Sequence, residues 1–177
     1  GTGAVIGGPT WYMSNCTGKL AATPDSNGAD YWLVQHADGT DEFHSFRLTT
    51  SGLLPTPVIS TAGPMLGVTG SNAPYSSDYY GSMRFSVGGN QMLMGFDVAP
   101  DTMASALYWF DATTGSVSLR TSALRDRSRY IDPFTSYTLT AQGISAAVVG
   151  VDFMATDDFA YVTYLDTTIW DGSGDSH

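Results

Sequence analysis

Cysteine is almost missing from this sequence. Its 177 residues include one cysteine, Cys16, so no disulfide can form within the chain and the fold depends on a hydrophobic core. Hydrophobic residues make up 42% of the chain, and single domains commonly run to roughly 100 to 200 residues. The sequence therefore predicts one domain without covalent cross-links.

Positive charge is also scarce. Seven Lys and Arg residues stand against 17 Asp and Glu, which gives a formal net charge of -10. Such a field repels phosphate backbones and anionic lipid headgroups, so we expect no nucleic-acid partner. No apolar run approaches the roughly 18 residues that cross a bilayer, and we expect no membrane span. Four of the seven basic residues fall in one segment, which is typical of a solvated connector and is also a candidate contact patch: Arg120, Arg125, Arg127 and Arg129.

Familiar catalytic and metal-binding motifs are missing as well. The sequence contains no Gly-x-Ser-x-Gly elbow, glycine-rich phosphate loop or Asp-x-Asp-x-Asp-Gly calcium loop, and we predict no catalytic residue, cofactor or bound metal. His36 and His44 fit no zinc spacing. Two alternatives stay open. One is a surface Ca²⁺ at Asp25, Asn27 and Asp30, and the other is a glycosidase that pairs carboxylates from Asp38 with Asp41 and Glu42, Asp97 with Asp101, or Asp157 with Asp158.

Glycine and aromatic residues are plentiful instead. The chain has 20 Gly, 10 Tyr and 8 Phe, a mixture that favours pleated strands and tight turns over helices. Residues 25–52 and 86–115 share the order strand, polar turn, strand, glycine turn, and residues 148–165 repeat it more weakly. Each segment is therefore predicted to form antiparallel hairpins. A slip in the apolar alternation at residues 45–46 predicts a bulge or a less regular strand.

The spacing of the copies leaves room for long connectors. Tyr31, Gln91 and Phe159 mark matching positions that are 60 and 68 residues apart, whereas common propeller repeats run to roughly 40 to 50 residues. Glycine, proline and hydroxyl residues concentrate between the copies, so segments 61–80 and 121–135 are predicted to be surface loops.

The most distinctive stretches are Lys-Leu at 19–20, Asp-Tyr-Trp-Leu-Val-Gln-His at 30–36, Phe-His-Ser-Phe at 43–46, Leu-Thr-Thr-Ser-Gly at 48–52, Pro-Val-Ile-Ser at 57–60 and Tyr-Gly-Ser-Met-Arg-Phe-Ser at 80–86. Together they resemble the WD40-like β-propeller regions of secreted and surface proteins of Bacteroidota, many of which are exported by the type IX secretion route or associated with gliding. The resemblance implies a propeller-like fold, a secreted or cell-surface location and a recognition or scaffold role. It transfers no catalytic residue.

We therefore expect an all-β fold of antiparallel four-stranded meander repeats, β-propeller-like, in one domain over residues 1–170. Blade-like units are predicted at about 19–60, 80–120 and 145–170, and residues 171–177 are predicted to be a flexible tail. Closed propellers need roughly four to eight blades. Three units leave three alternatives: a partial propeller, sheets completed by other chains, or a β-sandwich as the fallback.

The function predicted from these patterns is a non-catalytic extracellular or cell-surface recognition or structural module that acts through its loops. Its partners would be proteins, glycans or other chains of an assembly. Trp32 and Trp109 lie inside strand runs and are predicted to be core. The residues predicted to make binding contacts are Trp11, Tyr79, Tyr80, Arg125, Arg127 and Arg129. Two alternatives are a glycan-active hydrolase fragment that uses paired carboxylates, and a subunit of a larger extracellular or viral assembly.

Overall fold

The computed structural model describes residues 10–66, 82–99, 102–126, 146–153 and 160–166, and every regular element in these ranges is a β-strand. The strands are β1 Cys16–Pro24, β2 Tyr31–Ala37, β3 Glu42–Thr49, β4 Gly52–Leu53, β5 Val58–Thr61, β6 Met83–Phe85, β7 Gln91–Ala99, β8 Thr102–Asp111, β9 Ser116–Asp126, β10 Ala146–Phe153 and β11 Ala160–Asp166. No helix long and apolar enough to cross a membrane occurs in the described part of the chain.

The strands form three antiparallel sheets in chain order. The first sheet has the order β1-β2-β3-β4, with β5 also paired to β3, the second has the order β6-β7-β8-β9, and the third pairs β10 with β11. Short turns join neighbouring strands, and Gly28, Gly39, Gly89 and Gly115 have positive φ in them. Glycine adopts this backbone conformation without steric cost, so these positions fix where each strand reverses.

The core lies between the first and second sheets. Side chains alternate along each strand, and one face of the first sheet carries Trp32, Val34 and Phe43 into the same buried cluster as Met92 and Tyr108 of the second sheet. All five expose 5% of their surface or less, so apolar burial holds the two sheets face to face.

The third sheet packs on the other side of the second. Strand β10 contacts β6, β7 and β8, and Val151 of β10 is buried. Leu93 of β7 points away from the first sheet because it alternates with Met92 and Met94, yet it is only 5% exposed. The three sheets are therefore stacked in the order in which they occur along the chain.

The predicted all-β fold with antiparallel sheets is confirmed. The sheets do not close into a propeller in the described part of the chain, and the packing of the first two fits the β-sandwich fallback. The predicted bulge at 45–46 is wrong, because the register between β2 and β3 runs without a shift. Phe46 faces away from the core and is nevertheless buried, with Tyr12 edge-on to its ring at a centroid distance of 6.1 Å.

Two further predictions need correction. Residues 121–126 extend β9 and pair with β8, so this part of the predicted loop 121–135 is a strand, and residues 127–135 lie outside the described residues. Trp109 is 44% exposed rather than core, whereas Trp32 is buried as predicted. In the other predicted loop, 61–80, Ala62 and Leu66 are buried, and residues 67–80 lie outside the described residues.

Candidate functional site

The outer face of the first sheet, which points away from the core, carries an apolar patch. Leu20 is 57%, Tyr31 50% and Ile59 55% exposed, and Leu33 and Leu48 are partly buried beside them. Cross-strand pairing places Tyr31 opposite Leu48. Leu20 and Ile59 stand at the two ends of a row across β1, β2, β3 and β5, with the polar Gln35 and His44 between them. Exposed apolar side chains grouped on one face are typical of an interaction surface.

Turn hydrogen bonds align the first two sheets residue by residue. The Asp25 N–H donates to the Asp30 carbonyl at 2.9 Å and the Gly28 N–H to the Asp25 carbonyl at 3.0 Å. The same pair of bonds recurs from Ser86 to Gln91 at 2.9 Å and from Gly89 to Ser86 at 3.0 Å. Positions 25, 28 and 30 thus correspond to 86, 89 and 91, a displacement of 61 residues rather than the 60 predicted from the sequence.

This alignment relates the exposed face of the first sheet to a buried face of the second. The counterparts of Tyr31 and Leu33 are Met92 and Met94, and both methionines are 0% exposed because the first sheet covers them. Strands β1 and β6 correspond by the same displacement of 61 residues. Ala22 of β1 lies opposite Leu33, and its counterpart Met83 of β6 lies opposite Met94. The outer face of the first sheet is therefore the counterpart of a face that packs on a preceding sheet.

A second surface feature surrounds Trp109 on β8. Gln91 lies directly opposite it on β7, and Ser118 opposite it on β9. The Arg120 guanidinium stands 4.4 Å from the centroid of the indole, within the range of a cation–π contact, and its Nη1 donates a hydrogen bond to Gln91 Oε1. Sequence reasoning missed this group because Trp109 was assigned to the core.

The core between the sheets contains several polar side chains. His36, Ser45 and Tyr108 are 0% exposed, and both His36 ring nitrogens, Ser45 Oγ and the Tyr108 hydroxyl find no hydrogen-bond partner among the described residues. The Phe43 ring lies between His36 and Tyr108, 4.8 Å from each. Burial, followed by the charge of Lys19, lowers the pKa of His36 to about 4, and burial raises the pKa of Tyr108.

The residues proposed for a surface Ca²⁺ are used for other contacts. Arg47 Nε lies 2.9 Å from Asp25 Oδ2, and Arg47 Nη2 lies 3.1 Å from Asp30 Oδ2. Asn27 Nδ2 donates to the same Asp30 oxygen at 2.9 Å. The two carboxylates therefore compensate a guanidinium, and no group of three or more His, Cys, Asp or Glu that could hold a metal occurs in the described ranges.

The histidines near this sheet do not converge either. His36 points into the core, whereas His44 pairs with Gln35 on the outer face and lies 3.2 Å from Glu42 Oε2. The two rings are on opposite faces of the sheet. Among the acidic pairs, Asp101, Asp157 and Asp158 lie outside the described residues.

The predicted contact residues are only partly described. Trp11 is 90% exposed. Arg125 lies in β9 opposite Met103, but nothing is described of its side chain. Tyr79, Tyr80, Arg127 and Arg129 lie outside the described residues, so their role stays a prediction.

Comparison with known proteins finds only a distant structural likeness. No family model matches the sequence, and no curated protein matches it. One similar solved structure comes from Bacteroides fragilis and is described as a 6-phosphogluconolactonase, with 13% sequence identity and a TM-score of 0.46. The likeness covers 80% of this chain and 30% of that one, so the chain spans less than a third of the length of that structure.

This comparison corrects the predicted function. The solved chain carries the name of an enzyme, which counts against the predicted non-catalytic recognition or structural module, and that prediction is set aside as wrong. A likeness with a TM-score of 0.46 assigns no activity to this chain. Whether the chain is itself an enzyme stays at the level of a prediction.

Proposed function

We propose that the chain associates head to tail with a second copy of itself through the outer face of the first sheet. One observation carries this proposal: Tyr31 and Leu33 occupy the positions of Met92 and Met94, which are 0% exposed under the preceding sheet. A face whose counterpart is buried within the chain is suited to receive another sheet of the same kind. In the pair, the third sheet of one copy covers the first sheet of its partner.

The number of sheets supports two copies as the unit. The described residues of each chain form three stacked sheets, so two chains related by a two-fold axis make the same contact twice and bring six such sheets together. Closed propellers contain roughly four to eight blades, and their radial repetition leaves only short, protected sheet edges. The WD40-like propeller of an exported Bacteroidota protein, suggested by the sequence pattern, and its secreted or cell-surface location remain part of this proposal.

Light scattering after size-exclusion chromatography, over a hundredfold range of concentration, tests the association. One chain has a mass of 18.8 kDa, and we expect a species of twice that mass for the wild type. Tyr31→Glu places a charge on the outer face and is expected to shift the protein to monomer. The matched control is Val87→Glu, which changes a residue that is 74% exposed in the turn between β6 and β7.

Three results would overturn the proposal. They are a wild type that stays monomeric at every concentration, a dimer that Tyr31→Glu leaves intact, and a dimer that Val87→Glu disrupts equally. Circular dichroism of each variant separates lost association from lost folding. Leu20→Glu, on the edge strand β1, is a second variant of the same face if Tyr31→Glu does not fold.

A further inference from the structure

The group around Trp109 has the properties of a ligand platform rather than of core. Trp109 is 44% exposed even with the Arg120 guanidinium over its ring. Tryptophan inside a strand run usually buries most of its surface. Here the indole lies on the face of the second sheet that points away from the cluster of Tyr108 and Phe110. This is the face on which β10 packs, yet Trp109 stays exposed there.

Arg120 is held in place over the indole. It reaches from β9 across β8, stacks on Trp109 and donates through Nη1 to Gln91 of β7. A guanidinium has five N–H donors, and among the described residues the bond to Gln91 uses one of them. The contact therefore combines an apolar ring surface with a fixed set of donors on adjacent strands.

Acceptors stand beside the donors. Gln91 and Ser118 flank Trp109 on the neighbouring strands, and Asp111 lies two residues along β8 on the same face. Hydrogen bonds from the Thr113 backbone N–H, and then from the Thr114 hydroxyl, lower the pKa of Asp111, so its carboxylate stays ionised and able to accept. Sugar hydroxyls both donate and accept, and the apolar side of a pyranose packs on an aromatic ring.

Net charge narrows the class of glycan. The chain has a formal charge of -10, and its mean field repels a polyanion, so a neutral polysaccharide fits better than a polyuronate. We propose that Trp109, Arg120, Gln91 and Ser118 bind a pyranose unit of a neutral polysaccharide. This site lies on a different sheet from the outer face that associates with a second copy, and it does not depend on that association.

Affinity electrophoresis in gels that contain soluble polysaccharides provides the test. The probes are a neutral α-glucan, a neutral β-glucan, a mannan and, as the anionic comparison, a polygalacturonate. We expect at least one neutral polymer to retard the wild type, and Trp109→Ala to weaken that binding about fivefold or more, since one stacked ring contributes about 1 kcal/mol. Leu54→Ala is the matched control, because Leu54 is 43% exposed, nearly the same as Trp109, and belongs to the first sheet's side of the chain rather than to the Trp109 group.

The proposal predicts that Arg120→Leu also weakens binding, because it removes the donors above the ring. It is overturned if none of the neutral polymers binds, if only polygalacturonate binds, or if Leu54→Ala weakens binding as much as Trp109→Ala. Isothermal titration with an oligosaccharide of the retarding polymer then measures each Kd. Urea unfolding of the variants confirms that they are folded.

Discussion

The indole Nε1–H of Trp32 donates a hydrogen bond of 2.8 Å to the carbonyl oxygen of Ala112, 80 residues further along the chain. Trp32 belongs to the first sheet, and Ala112 follows the last residue of β8 in the second. This bond therefore ties the two sheets together at the edge of the core. Gly115, three residues after Ala112, has a φ of 78°. A Cβ at this position would lie 2.7 Å from the indole of Trp32.

Trp32→Phe is expected to destabilise the protein by about 1–3 kcal/mol, because it removes an inter-sheet hydrogen bond and leaves a cavity beside Gly115. Urea unfolding followed by circular dichroism measures the difference. Trp11→Phe, at an indole that is 90% exposed, should change the free energy of unfolding by less than about 0.5 kcal/mol. Equal effects of the two substitutions would contradict the role assigned to Trp32.

Tyr108→Phe is expected to be neutral or to stabilise the protein by up to about 2 kcal/mol, because the buried hydroxyl finds no hydrogen-bond partner among the described residues. Gly63→Ala should destabilise it, since Gly63 has a φ of 85° and its Cβ would lie 2.6 Å from that hydroxyl. Combined with Tyr108→Phe, Gly63→Ala should cost less than it does alone. Thermal unfolding of the two single variants and the double variant measures this coupling, and strictly additive effects would argue against the clash.

The sequence predicted the turns correctly but misplaced the repeat by one residue and assigned Trp109 to the core. The glycine turns that end strands were readable, because their positive φ is a local property of the chain. The repeat offset was wrong by one residue because it was fitted to the aromatic run at Tyr31 rather than to the turn bonds of Asp25 and Ser86. In Tyr108-Trp109-Phe110 all three residues are aromatic, so the run itself does not show that its middle residue faces outward.

The two surface features depended on packing that one sequence does not reveal. The outer face of the first sheet carries exposed apolar side chains, and the proposal that it receives another sheet rests on the relation between Tyr31 and Met92, which a single sequence does not reveal. The extension of β9 was missed because the arginines from Arg120 onward are typical of a solvated connector. In the structure this segment pairs with β8 as far as Asp126.

Arg47→Met is expected to destabilise the protein by about 1–3 kcal/mol. The Asp25 side chain is 2% exposed and loses its ion pair with Arg47, and removing one partner of a buried pair leaves an uncompensated charge. This expected loss of stability is smaller than that for a fully buried ion pair, because the Arg47 side chain is 37% exposed and solvent partly screens its charge. Chemical unfolding should show no comparable loss for Arg84→Met, which changes an exposed arginine of β6.

The buried His36 should make stability depend on pH. Its pKa is about 4 in the folded chain against roughly 6.5 when unfolded, so the unfolded chain binds the proton more readily. The free energy of unfolding should therefore fall as the pH drops from about 6.5 towards 4, by at most about 3 kcal/mol from this residue. His36→Leu should remove that part of the slope, while Ser45→Ala, at a buried neighbour that does not titrate, should retain it. Urea unfolding at pH 4.5, 5.5, 6.5 and 7.5 measures the slope, and identical pH profiles for His36→Leu and the wild type would show that His36 is protonated with equal ease in both states.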